Sequence, residues 1–356
     1  MADTADDLPT SPYDSSADPL VARLLSEMEI RGKSMIVTVF GDAIVPHGGA
    51  IWLADLIRLM EPFGVGERVV RTAVYRLSQD AYFDTTKEGR RSFYALTPPA
   101  RLMFEAAERR IYAGDAVPWD EQWLVLILTG ALSRTERAAV VKQLGWQGFA
   151  QVGPNLLVNP VPVPRAVGQT LESLGVADKV LEWRAGGAPG MRQEALHQMV
   201  RDAWPLEELQ TKYRNFLSLF GPTALGLDTS EPQKTVGGSG AAAERAFVLR
   251  SLLVHAWRRI VLNSPSLPLE IHPDPGLAAE ATELYQTLYL NLADAADAHV
   301  AAVMEQAEDA VPSKDHVPAQ ALQDRFGGLL ATYRKTLKQN RVRKGSNDGW
   351  EYWQPG

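Results

Sequence analysis

Between Gly66 and Pro98 the sequence changes period, and that change constrains the fold more than any other feature. "GERVVRTAVYRLSQDAY" (Gly66 to Tyr82) repeats its apolar residues with the rhythm of a helix. "YFDTTKEGRRSFYALTP" (Tyr82 to Pro98) then reads as two short aromatic-rich strands around a charged, glycine-containing loop, a hairpin. At about 100° per residue, Val69, Val70, Ala73, Val74 and Leu77 gather on one side of the helix. Arg68, Arg71, Thr72, Tyr75, Arg76 and Gln79 gather on the other. The apolar side needs something to pack on, and the preceding segments supply it. "SMIVTVFGDAIV" (Ser34 to Val45) reads as one helix and "AIWLADLIRLMEPFG" (Ala50 to Gly64) as a second, stopped by Pro62 and Gly64. A further helix follows the hairpin from about Pro99 to Tyr112. Helices, a recognition-type helix and a hairpin together predict a winged helix-turn-helix over residues 30–114.

At 356 residues the chain has room for two or three domains. After "YAGDAVPWDE" (Tyr112 to Glu121) the elements alternate as β-α-β-β-α-β, which predicts a ferredoxin-like domain over residues 118–186. From 191 to 306 the rhythm is helical almost throughout, with a polar Gly/Ser-rich insertion at 228–244 that reads as flexible. Residues 1–29 open with five aspartates in the first twenty positions and no basic residue there; they read as a disordered acidic tail. Residues 307–356 form a polar C-terminal extension with a helix expected near Asp324 to Gln339. The fold class is therefore α+β and multidomain: winged helix-turn-helix, ferredoxin-like middle domain, mainly α C-terminal domain.

Charge decides how the arginine face is read. The chain carries 36 Lys/Arg and 43 Asp/Glu, net −7, so it is not a basic protein that coats nucleic acid. Over Gly66 to Arg110, however, nine Lys/Arg stand against six Asp/Glu, a local excess of three. A solvated helix face ordinarily mixes both signs; here three arginines have only Glu67 and Asp80 at the ends. Arg, Thr, Tyr and Gln are donors and planar groups that reach base edges and phosphates. Lys87, Arg90 and Arg91 lie at the hairpin loop, where a wing meets the DNA backbone. Local double-stranded DNA binding is the expectation. The absence of cysteine removes disulfides, thiolate zinc sites and Cys nucleophiles. No secretory leader or spanning run is evident, and a soluble cytoplasmic protein without cofactor or metal is expected.

The region from Ser34 to Phe83 resembles the opening domain of the phenylacetic acid catabolism repressor family, PaaX. The resemblance rests on Phe40-Gly41-Asp42, Gly48-Gly49, Trp52, Pro62-Phe63-Gly64, Val70-Arg71-Thr72-Ala73 and Arg76-Leu77, followed by "GRRSFYALTP". It continues through "WDEQWLVLIL" and "LGWQGFAQVGPNLLVNP" and returns at "RAFVLRSLLVHAWRRIVLNSPSLPLEIHPDPG". The chain departs from the family's pattern at Ser264-Pro265 and at Pro275. The resemblance implies a homodimeric transcriptional repressor of an aromatic-catabolism operon, released from a palindromic operator by an aryl-acyl-CoA such as phenylacetyl-CoA. It implies that Arg71, Thr72, Tyr75 and Arg76 enter the major groove, with Arg68 beside them on the DNA-binding face, while Lys87, Arg90 and Arg91 grip phosphate.

A CoA thioester needs cations for its phosphates and an apolar slot for its acyl group. "VHAWRRI" offers His255, Arg258 and Arg259 at helical spacing, with His255 and Arg259 sharing a face, and "DAWPLEELQTKYRNF" offers Trp204 and Tyr213. The plain alternative for these residues is helix packing with the arginines paired to carboxylates. No H-E-x-x-H, Walker loop, G-x-G-x-x-G or G-x-S-x-G occurs, so no enzyme is expected, and "HPD" at His272 to Asp274 reads as a turn rather than a metal pair. The middle domain also resembles the Cas2 RNA-processing nucleases, which leaves an RNA- or DNA-binding protein without a CoA ligand as the second reading. A repressor of a different small aromatic molecule is a third. The strand Leu124 to Leu128 runs into "TGALS" without an acid, which argues against cleavage.

Overall fold

The computed structural model describes residues 18–112, 120–145, 147–160, 164–186, 193–226, 240–262, 267–268, 271, 275–305 and 325–328. They fall into two units: one of residues 1–115, 233–251 and 289–356, the other of 116–232 and 252–288. Of the helical region, residues 240–251 and 289–305 fall in the first unit and 193–226 and 252–288 in the second.

The first unit begins with α1 (Pro19–Glu27), inside the stretch expected to be a disordered tail. The aspartates of that stretch hid a helix signal: Asp18 accepts from the Leu20 and Val21 amides as N-cap, Pro19 follows it, and Val21 and Leu24 are fully buried. Asp18 also pairs with Arg245. The rest of the tail, 1–17, lies outside the described residues.

The helix expected from Ser34 to Val45 has three parts. α2 (Gly32–Val39) widens into a π turn at Phe40–Ile44 and tightens to a 3₁₀ turn at Val45–His47. Gly48 and Gly49, at φ 107° and 72°, then reverse the chain. The second expected helix starts late. Ala50–Trp52 is a strand, β1, all three residues buried, and only Leu53–Met60 is helical, α3. The reason is a partner the local pattern does not show: β1 pairs antiparallel with β3 (Arg91–Leu96), and Trp52 meets Phe93 edge-on at 5.2 Å.

α4 (Glu67–Gln79) is followed by β2 (Phe83–Glu88), which pairs with β3 from Phe83↔Leu96 to Glu88↔Arg91. Gly89, at φ 59°, takes the first of the two loop positions, the place where a II′ hairpin turn requires glycine. The sheet order is β1-β3-β2. Thr97 caps α5 (Pro98–Ile111) by accepting from the Ala100 amide and donates to the Ala81 carbonyl, fixing the turn from sheet to helix.

Within this unit the π turn brings Asp42 inside. Its side chain is fully buried and accepts from Tyr112 at 2.6 Å, Arg250 at 2.9 Å, Tyr289 at 3.0 Å and Arg325 at 3.1 Å. Arg250 lies on α10 (Gly240–Val261), and Tyr289 on α11 (Pro275–Glu305). Arg250 also donates to Asp297 at 2.5 Å and to the Ala293 carbonyl at 3.2 Å. Burial alone lowers the Arg250 pKa, yet Asp42 and Asp297 hold it above the ordinary arginine value. α10 begins at Gly240, so the last five residues of the expected flexible insertion are helical, and 228–239 lie outside the described residues. The helix expected near Asp324 is described only at Arg325–Gly328, a 3₁₀ turn. The remainder of 307–356 lies outside the described residues.

The second unit contains a four-stranded antiparallel sheet in the order β5-β6-β4-β7, from β4 (Gln122–Leu128), β5 (Ala150–Gly153), β6 (Leu156–Asn159) and β7 (Val180–Gly186). α6 (Arg134–Gly145) and α7 (Pro164–Ser173) connect the strands, completing the expected β-α-β-β-α-β order. Leu124, Leu126 and Leu128 pack with Val140, Leu144, Val167 and Leu171. Strand alternation puts Trp123 on the opposite face, with Ala150 and Val158, against Val200 and Trp204. α8 (Gln193–Ala203) and α9 (Leu206–Gly226) follow. No helix among the described residues is long and apolar enough to cross a membrane.

Replacing Asp42 by Asn keeps the shape but removes the charge that faces Arg250 and Arg325. Breaking a buried ion pair costs about 3–5 kcal/mol, and chemical denaturation of Asp42→Asn should show a loss of that order. A loss below about 1 kcal/mol, the scale of a surface pair, would contradict the central place given to this carboxylate.

Candidate nucleic-acid interface and effector cluster

α4 owes its position to its apolar back. Val70, Ala73, Val74 and Leu77 are buried, and Lys33 at the start of α2 pairs with Asp80 at the helix C-cap. Val69, expected on the same back, is half exposed at its edge. It lies over Gly32, where a Cβ would come within 2.7 Å of its Cγ1. The valine therefore covers backbone and leaves its outer side in solvent.

The front of α4 is open. Arg68, Arg71, Thr72, Tyr75, Arg76 and Gln79 are exposed, Tyr75 to 65%. Exposed this far, the Tyr75 ring and hydroxyl are open to stacking or hydrogen bonding. Arg71 pairs with Glu67 one turn earlier, Nη2 to Oε1 2.6 Å and Nε to Oε1 2.7 Å, with both side chains more than half exposed. Such an i,i+4 pair holds the guanidinium in place at small cost. Thr72 Oγ1 donates to the Arg68 carbonyl at 2.9 Å. The Arg68 and Arg76 side chains have no partner among the described residues.

The hairpin follows α4 directly. Ser78 Oγ and Thr85 Oγ1 lie 3.4 Å apart, joining the last turn of the helix to β2. Lys87, Arg90 and Arg91 are exposed at the far end of the strands. The Asp55 carboxyl is raised by burial, an effect opposed by the charges of Arg58 and Arg91, so Arg91 stands in the field of a carboxylate. The structure thus gathers the five α4 residues on one open face and Lys87, Arg90 and Arg91 at one hairpin tip.

The effector candidates belong to the second unit and are not all brought together. Tyr213, on α9, lies 6.2 Å from the Trp257 ring, and burial raises its hydroxyl to about 12. His255 is 1% exposed, and burial together with Arg258 and Arg259 lowers it to about 4, so its imidazole is neutral near pH 7. Arg258 is half-buried and Arg259 exposed. His255 and Arg259, expected on a shared face, therefore meet different surroundings, because the i,i+4 interval of 400° carries the second residue past the edge of the buried face. Trp204 is elsewhere, buried against Trp123 at 6.2 Å with its Nε1 donating to the Gly148 carbonyl. Tyr285, which the sequence did not single out, stacks nearly parallel on Trp257 at 4.8 Å and 15°, and Phe216 closes the group at 5.3 Å. Among the described residues no group of three His, Asp or Glu stands ready to hold a metal; His272 to Asp274 lie outside them.

Sequence reasoning also missed the polar residues inside the first unit: Tyr112, Arg250, Tyr289, Asp297 and Arg325 around Asp42. One signal was present. Asp42 and Arg250 each interrupt an apolar run, "MIVTVFGDAIV" and "RAFVLRSLLVHAW", and a charge there calls for a buried partner of opposite sign.

Three family models match the chain in order: PaaX-like protein at residues 31–100, the PaaX protein central Cas2-like domain at 116–196, and the PaaX-like protein C-terminal domain at 204–302. The transcriptional repressor PaaX of Escherichia coli is 34% identical over 315 residues, which cover 88% of this chain and 96% of that protein. Among solved structures, an uncharacterized protein, Rv0674, from Mycobacterium tuberculosis aligns over 76% of this chain and 99% of its own, with 17% identity and a TM-score of 0.46. With three consecutive family domains and a relative aligned along nearly its whole length, the chain belongs to the PaaX family.

Proposed function

We propose that the protein is a DNA-binding transcriptional repressor of phenylacetate-type catabolism, a regulator and not an enzyme. Its first unit presents a winged helix-turn-helix in which α4 is the recognition helix and β2-β3 the wing. The observation that carries this reading is the open row Arg68, Arg71, Thr72, Tyr75 and Arg76 on a helix whose opposite side is buried. These side chains can enter a major groove, where arginine donates to guanine O6 and N7. Lys87, Arg90 and Arg91 reach phosphate from the wing. A cytoplasmic homodimer would read a palindrome whose half-sites are separated by about one helical turn or a multiple of it.

The effector reading is an aryl-acyl-CoA, phenylacetyl-CoA in the first instance. It is supported by the aromatic group Tyr213, Phe216, Trp257 and Tyr285 beside the cations Arg258 and Arg259. The aromatic rings suit an aryl group, and the exposed Arg259 suits a phosphate. Trp204 acts through packing on Trp123 rather than by touching the ligand, and the neutral His255 contributes no charge.

In mobility-shift titrations with DNA from upstream of the protein's own gene, Arg71→Ala should lose specific affinity by about 5- to 150-fold, the 1–3 kcal/mol of one bidentate base contact. Wild-type affinity in that variant would rule out α4 as the reading helix. Arg90→Ala should weaken all sequences alike and reduce the slope of log K against log salt by about 1; an unchanged slope would take the wing off the phosphates.

A melting-temperature screen across acyl-CoA thioesters tests the effector. A ligand bound at a hundred times its Kd stabilises by about 2.7 kcal/mol, so the right thioester should raise Tm clearly and release the DNA. If no thioester does either, the CoA effector is wrong.

A further inference from the structure

Arg325 and Phe326 sit in the first unit as a ligand sits in a pocket. The Arg325 side chain is 1% exposed and every donor group of its guanidinium is used. Nη1 donates to the Asp42 carboxylate at 3.1 Å, to the Asp42 carbonyl at 3.2 Å and to the Tyr289 hydroxyl. Nη2 donates to the Gly41 carbonyl at 3.3 Å and Nε to Glu108 at 3.2 Å. The Arg325 Cζ lies over the Tyr112 ring, 3.9 Å from the centroid. Acceptors fanned around a flat cation, with an aromatic face beneath it, match arginine and not the point charge of lysine. Phe326 is 1% exposed, its ring 5.7 Å from Tyr112 and 5.2 Å from Tyr289, and its amide donates to the Tyr112 carbonyl at 2.9 Å.

The pocket itself is built from residues held by other means. Asp42 keeps Arg250 as its cation, Tyr112 ends α5, and Tyr289 is part of α11. The Tyr112 and Tyr289 hydroxyls both donate to Asp42 without help from Arg325. None of the Arg325 partners belongs to the α4 row or to the hairpin tip. Phe326 adopts φ 55°, a left-handed conformation rare for an aromatic residue, so its own backbone preference does not place it there; the surroundings do.

We propose that this pocket is a docking site for an arginine–aromatic pair, filled in cis by Arg325 and Phe326, and that these two residues act as an exchangeable internal ligand of the unit. A segment that is a ligand can be replaced by the same chemistry supplied from outside. A segment that is integral to the fold cannot.

The test uses the full chain with Arg325→Ala and the peptide N-acetyl-Arg-Phe-amide. The variant should melt several degrees below the wild type, and the peptide at millimolar concentration should recover Tm along a saturating curve. N-acetyl-Lys-Phe-amide should recover much less, and the wild type, whose pocket is filled, should not shift. A variant that melts at the wild-type temperature, or one that no concentration of peptide rescues saturably, overturns the proposal. If Arg325→Ala does not fold, Arg325→Lys keeps the charge while losing the fork, and the same recovery is required of it. A lysine variant indifferent to the arginine peptide overturns the proposal equally.

Discussion

A single carboxylate, Asp42, organises the first unit. A buried charge is costly unless it is fully paired and hydrogen-bonded. Asp42 meets that condition through two guanidiniums, Arg250 and Arg325, and two phenols, Tyr112 and Tyr289. These partners lie 70, 208, 247 and 283 residues away in the chain. An apolar side chain at this position would accept many neighbours, whereas a buried carboxylate needs donors and a cation brought to it from distant segments. The ion pair therefore specifies one arrangement, even where an apolar cluster of equal volume would stabilise as much. Contacts of such separation also make the unit slow to assemble, because loop-closure entropy is met before they form.

The arginines of this protein do two kinds of work, distinguished by solvent. Arg250 and Arg325 are fully buried, and burial alone would lower their pKa; the Asp42 charge and their other partners hold both above the ordinary value, so their protonation is secure. They join chain segments. Arg68, Arg71 and Arg76 project from α4 into water, where each charge is solvated and available. If these arginines meet DNA as proposed, exchanging water for phosphate would release counterions and make affinity depend on salt. Composition counts both groups alike, and only burial separates them.

What could be read from the sequence follows from the range of the interaction responsible. The face of α4 is a local property, since the 3.6-residue rhythm of 67–79 sorts it without knowledge of any other segment. The β-α-β-β-α-β order was legible for the same reason. Ala50–Trp52 misled because its strand state comes from β3, more than forty residues on. Residues 19–27 misled because aspartates dominated the composition while one of them, Asp18, was a cap. Trp204 and His255 carried the right chemistry for a site, but periodicity cannot tell a ring against Trp123 from a ring facing a ligand. Arg325 was the least legible. Nothing beside it in "QDRFGG" is apolar enough to suggest a buried residue, apart from Phe326, and its partners are in other elements.

Glu67 bears on how an acidic chain could present α4 to DNA, the role proposed for that helix. With a net charge of −7, the long-range field repels nucleic acid, so approach must depend on local charge, which over Gly66 to Arg110 is positive by three. Screening helps, because at physiological salt charges more than about 8 Å apart hardly feel each other. Glu67 sits inside that range of Arg71 and is bonded to it. In free protein the pair keeps the guanidinium extended along the helix surface. If α4 reads DNA as proposed, a phosphate or base edge would compete for the same donors, and an exposed i,i+4 pair is worth only about 0.3–0.5 kcal/mol, far less than a bidentate base contact. On the proposed reading, the exchange costs that same small amount whatever the base, so Glu67 would lower affinity slightly and leave discrimination to the base contact itself.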